Sequence, residues 1–185
     1  MQRLGATNAE ALTRLSETEL LALLMKGEPT QVIHTKTLML AALLKEAGEM
    51  AAAQERSDES RAYYLKGLHL LLNTLDTSEA HEIPAFVPKV EEFRAALASG
   101  YLPLPTAARL MQHYERIGDF AKAEDALFVM IEGEPDNRAL LDFGTLFYER
   151  LLAHSDATLQ SGSLPRSEVK NGLAEILDKK RVAAQ

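Results

Sequence analysis

Five histidines, His34, His69, His81, His113 and His154, are the side chains best suited to metal or acid–base work. None lies four residues from another, and neither H-E-x-x-H nor Glu-x-x-His occurs, so no helix face carries two ligands in the spacing of the common helical metal enzymes. The chain has no cysteine, which excludes thiol nucleophiles, disulfide staples and Cys-based zinc sites. Glu91-Glu92 and Glu124-Asp125 are paired carboxylates only along the chain. Adjacent residues on a helix point about 100° apart, so neither pair converges on one substrate. A glycine-rich phosphate loop and a G-x-S-x-G elbow are both missing from the sequence. The expectation is therefore a protein with no catalytic residue, no cofactor and no metal. The alternative is a small-ligand binder or enzyme using an inter-helix cavity around His113, Tyr114 and Tyr148.

Charge narrows the partners. A net charge of −7 argues against general attraction to nucleic acid or anionic lipid. The stretch from Arg166 to Arg181 is locally basic by only two charges and reads as a solvated helix face. Residues 115–142 lean the other way, with eight acidic side chains and three basic ones. That bias suits either a lure for a basic peptide or the exposed faces of ordinary helices. The apolar runs Leu20 to Met25 and Leu38 to Leu44 are far short of the roughly 20 residues that cross a bilayer. The N-terminus "MQRLGATNAEAL" shows no secretory pattern, so cytoplasmic residence is expected.

Nearly every segment repeats its apolar residues at helical spacing, and none alternates as a strand does, which predicts an all-α fold of about eight helices. Ser16 and Glu19 have the spacing of a capping box, so a helix is predicted from Glu17 to about Lys26, closed by Gly27 and Pro29. A second helix starts near Thr30, with Gly48 as a break or an interior glycine. A third starts at Ser57 or Asp58 and runs through "RAYYLKGLHLLLNTLD". Pro84 suits a first turn, and Phe86, Val90, Phe93 and Leu97 predict a helix over 84–98. "GYLPLP" reads as an extended connector. Helices follow at about 105–117, 119–132, 137–154 and 165–181, punctuated by Gly118, by Gly133 with Pro135, and by Gly162 with Pro165.

"YER" occurs at Tyr114-Glu115-Arg116 and again 34 residues later at Tyr148-Glu149-Arg150, the period of tetratricopeptide repeats. Residues 104–137 resemble one complete unit of that family: Leu110, Tyr114, Gly118, Ala123, Leu127 and Pro135 stand where it places large apolar, aromatic, turn-glycine, small, large and proline residues. The next unit matches in part, with Tyr148 and Ala157 in place but Leu152 at the turn glycine and Ser161 at a large position. Upstream, "YYLKGLHL" resembles a second helix of such a repeat, with Gly67 at the small position. More broadly, residues 60–150 are similar to a small uncharacterised bacterial family of tetratricopeptide-like proteins.

The resemblance implies a short right-handed α-α superhelix of stacked hairpins that binds other proteins without doing chemistry. The expected organisation is one helical domain over 1–185, with hairpins over 57–161, a capping helix over 162–185, and N-terminal helices over 1–56 that pack against the stack or, because Leu20 to Met25 and Leu38 to Leu44 are apolar on more than one side, self-associate into a homodimer. The family's groove positions fall on Ala108, Gln112, Glu115 and Arg116 of the first unit and on Asp142, Leu146, Glu149 and Arg150 of the second. Ala108 and Asp142 are wrong for the family's carboxylate clamp, so the implied partner is an unknown protein or basic peptide, with neither nucleic acid nor membrane as a target.

Overall fold

The helices are set by local signals that most of the chain obeys. A computed structural model describes residues 15, 16, 19, 22, 30–77, 83–97 and 101–183. Among the described residues there are eight α-helices and no strand. The protein is all-α. The chain divides into two compact units, Met1–Leu102 and Pro103–Gln185, with the boundary at the "GYLPLP" connector and inside the 57–161 tract. No helix among the described residues is long and apolar enough to cross a membrane.

In the first unit, the capping box at Ser16 is formed: Ser16 N–H donates to Glu19 Oε2 at 2.7 Å, and Glu19 N–H donates back to Ser16 Oγ at 3.3 Å. The rest of the helix predicted over 17–26 lies outside the described residues, apart from helical positions 19 and 22. α1, Thr30–Ala53, and α2, Ser57–Thr77, form an antiparallel hairpin. Asp58 and Glu59 sit in the first turn of α2, where carboxylates complement the helix dipole. Between the two helices Glu55 takes a left-handed φ of 60°, which lets Arg56 N–H reach the Ala51 carbonyl at 2.9 Å.

Gly48 is an interior glycine of α1, and it lets the hairpin close. A Cβ there would lie 2.9 Å from the Tyr64 ring of α2, and Ser60 Oγ donates to the Gly48 carbonyl at 2.9 Å. Gly67 repeats the arrangement one layer on, against Phe93 of α3, Val90–Ala96. The helix predicted over 84–98 is thus shorter than expected. Pro88 supplies no N–H and disfavours helix at Val87, so α3 begins only at Val90, where Lys89 N–H donates to Glu92 Oε1 at 2.9 Å. Phe86 is left half exposed instead of joining the apolar face.

The second unit opens with α4, Leu104–Ile117, and α5, Phe120–Gly133. Gly118 stands between them at φ +82°, and Asp119 N–H closes back on the Tyr114 carbonyl at 2.9 Å. Asp119 then caps α5 by accepting from Lys122 N–H. Leu110, Tyr114, Ala123 and Leu127 are all buried in this hairpin. The fully buried Ala123 brings no side-chain bulk to the helix interface. Lys122 adds its ammonium 5.3 Å from the centre of the Tyr114 ring.

α6, Arg138–Leu152, is capped by Asn137, whose Oδ1 accepts from Leu140 N–H at 3.2 Å. A short helix that periodicity did not predict follows: α7, Asp156–Ser161, capped by Ser155. α8, Arg166–Val182, returns along α6 and buries Val169, Gly172 and Ile176. Arg166 holds this corner, donating to the Leu152 carbonyl at 3.0 Å and pairing with the His154 carbonyl and Asp156. The end of α7 meets the α4–α5 turn. A Cβ on Gly162 would fall 2.6 Å from the Gly118 carbonyl, and Ala121 N–H donates to the Gly162 carbonyl at 3.1 Å.

Candidate functional site

Two helices supply the predicted groove residues, and their side chains divide into bridging and exposed sets. Glu115 of α4 and Arg150 of α6 bridge: Arg150 Nε donates to Glu115 Oε1 at 2.7 Å and Nη2 to Oε2 at 2.8 Å. This two-point geometry fixes both side chains. The pair joins the two sets of groove residues that the 34-residue echo singled out. Asp142 is drawn instead toward α8, where Lys180 Nζ lies 2.6 Å from its carboxylate.

Gln112, Arg116, Leu146 and Glu149 remain at the surface. Arg116 Nη2 lies 3.4 Å from the ring nitrogen Nδ1 of His113. Leu146 is 54% exposed, large for an apolar side chain on an otherwise polar face. Ala108 is half-buried. Of the eight acidic side chains in residues 115–142, three are paired with cations inside the unit, Glu115 with Arg150, Asp119 with Lys122 and Asp142 with Lys180, and Glu124 accepts from Tyr148.

The residues of the alternative cavity have structural work. His113 and Tyr114 are buried with ring centres 5.8 Å apart. Tyr148 is fully buried beside Phe147, and its hydroxyl donates to Glu124 Oε1 at 2.6 Å. Beneath that ring lies Gly172 of α8, where a Cβ would come within 2.3 Å of the phenol. Burial pushes the Glu124 carboxyl above the usual carboxylate range; the Tyr148 hydrogen bond opposes this, and the charges of Glu168, Asp125 and Glu175 add to it. Burial and the Glu124 carboxylate together push the Tyr148 hydroxyl far above its ordinary range, so it stays protonated as a donor. Among the described residues no group of three or more His, Asp or Glu could hold a metal ion.

The Glu124–Tyr148 pair was missed because sequence periodicity places residues on faces of one helix. A contact between helices 24 residues apart leaves no such trace. The available signal was Gly172, an interior glycine on the apolar side of a helix, which marks a close neighbour.

No curated protein and no solved structure matches the chain. A family model does match, over residues 25–181, wider than the 60–150 tract that carried the repeat resemblance, and it lends nothing to the tetratricopeptide assignment. The chain belongs to that family, the family of unknown function DUF6483.

Proposed function

We propose that the second unit is a non-enzymatic interaction module, a short tetratricopeptide-like stack that binds a protein partner along α4 and α6. The observation behind this reading is the Glu115–Arg150 bridge. It joins the exposed stripes of two helices that occupy equivalent places 34 residues apart, and so makes one surface of them. The surface offers the exposed apolar Leu146, one helical turn from Glu149 and Arg150 on α6, and the exposed Gln112 and Arg116 on α4. An apolar patch ringed by polar groups is the usual composition of a protein contact. The fitting occupant is a helix or extended segment with an apolar residue over Leu146 and a basic residue beside Glu149.

The test is a pull-down from the source organism comparing wild type with Leu146→Asp/Glu149→Lys. Both positions are exposed, so the variant should keep its melting temperature. Partners lost selectively by the folded variant support the assignment, and identical partner lists sink it.

A further inference from the structure

The first unit carries an exposed apolar stripe that the α4–α6 reading does not use. Along α1, Val32, Met39, Leu43 and Met50 all face outward, with Met39 51%, Leu43 66% and Met50 63% exposed. Their spacing of seven, four and seven residues keeps them within about 40° of one another around the helix axis. The opposite face, with Leu38, Ala41, Leu44 and Ala51, is the one that packs into the unit. The Leu38 to Leu44 run therefore splits into a buried half and an exposed half.

We propose that this stripe is the self-complementary interface of a homodimer, in which α1 packs antiparallel against α1 of a second copy. With Lys36 and Glu46 included, the stripe occupies positions 32, 36, 39, 43, 46 and 50, the alternating four–three repeat of a coiled-coil seam. These six positions are symmetric about Ala41. An antiparallel copy sets Val32 against Met50, Met39 against Leu43, and Lys36 against Glu46 of the other chain, each pair occurring twice. A parallel copy would instead set Lys36 against Lys36 and Glu46 against Glu46, so the two charges select the antiparallel arrangement. Such a two-fold contact closes on itself and leaves no stripe open for a third copy.

The stripe is roughly 27 Å long, and with a helix width of about 10 Å each copy would contribute about 270 Å², about 540 Å² in all. That is below the range of stable specific interfaces, so the dimer is weak, reversible and concentration-dependent. The proposal is independent of the α4–α6 surface, which lies in the other unit.

Sedimentation equilibrium of the full chain over a wide concentration range is the first measurement. Wild type should rise from the monomer to the dimer mass, and Leu43→Glu should weaken the association at least tenfold. A chain that stays monomeric at the highest concentration overturns the proposal, as does a dimer indifferent to Leu43→Glu. If residues 1–29 of the same chain cover the stripe, Leu43→Glu will lower the melting temperature of a monomer, which also overturns it.

Direction is tested by disulfide trapping, which the cysteine-free chain makes clean. Val32→Cys mixed with Met50→Cys should yield an oxidised dimer, while each variant alone should not. Linkage of either variant to itself, or no linkage in the mixture, overturns the antiparallel pairing.

Discussion

Gly67 of α2 and Gly172 of α8 each receive an aromatic ring from a neighbouring helix, one in each unit. The ring on Gly67 is Phe93, with no polar end, and its contact is purely a matter of shape. The ring on Gly172 is Tyr148, whose hydroxyl must be satisfied in the interior and is satisfied by Glu124 of a third helix. Two solutions to close packing thus carry different liabilities. A shape-only contact is repaired by any apolar side chain that fits, whereas the tyrosine contact binds the fit of α6 on α8 to the protonation state of α5.

The sharpest way to break this comparison is to add a methyl at both glycines. Gly172→Ala should cost about 3 kcal/mol and Gly67→Ala about 2 kcal/mol in urea unfolding, the clash outweighing alanine's better helix propensity. Second-site changes should then separate them. Phe93→Leu should restore most of the stability of Gly67→Ala, while Tyr148→Leu should fail to restore Gly172→Ala at neutral pH because it leaves Glu124 without its donor. Equal rescue at both sites would mean that the hydroxyl contributes nothing.

Tyr148→Phe isolates the hydroxyl, with an expected loss of about 1–2 kcal/mol at neutral pH for a half-buried carboxylate deprived of its hydrogen bond. The loss should shrink on acidification, when the stranded group becomes a neutral carboxyl. Thermal melts of both proteins across the acid range measure it.

Glu124→Gln reads the same pair by its pH dependence. Because burial raises the Glu124 pKa in the folded state, the folded protein holds this proton more tightly than the unfolded chain does. Its stabilising contribution is complete below the unfolded carboxylate pKa and is lost as pH rises through the raised folded value. Glutamine abolishes this slope, so the variant should gain on wild type between acid and neutral pH. A difference in melting temperature that does not vary with pH would refute the assignment. The smallest effect belongs to Arg150→Ala, about 0.5 kcal/mol, because Arg150 is half exposed and water replaces much of what the ion pair supplies.

Much of this architecture was legible in the residues themselves. Gly118-Asp119 marked the α4–α5 turn to within a residue, because a left-handed position followed by a capping carboxylate is a purely local device. Ser16 with Glu19 was equally local. Pro84 misled because Pro88, four residues on, governs the same stretch and delays α3 to Val90. α7 escaped because a six-residue helix has no full apolar period to display; Ser155 with Asp156 in the first turn was the available signal. The candidate surface was legible as a set of positions but not in its pairings. The echo of "YER" located Glu115 and Arg150, yet that they grip each other, while Asp142 turns to Lys180, depends on how separate helices lie.

Gly162 gives the α4–α5 turn an unusual property. Amides in the first turn of a helix have no carbonyl partner within the helix and ordinarily exchange quickly with solvent. Ala121 is in that position on α5, yet its N–H is held by the Gly162 carbonyl at the end of α7. Its hydrogen exchange therefore gauges the docking of α7 and is insensitive to the winding of α5. A slow Ala121 amide among fast neighbours would mark the turn and the short helix as one cooperative piece that opens together, and acceleration at that single amide would reveal α7 lifting away while every other helix stayed intact.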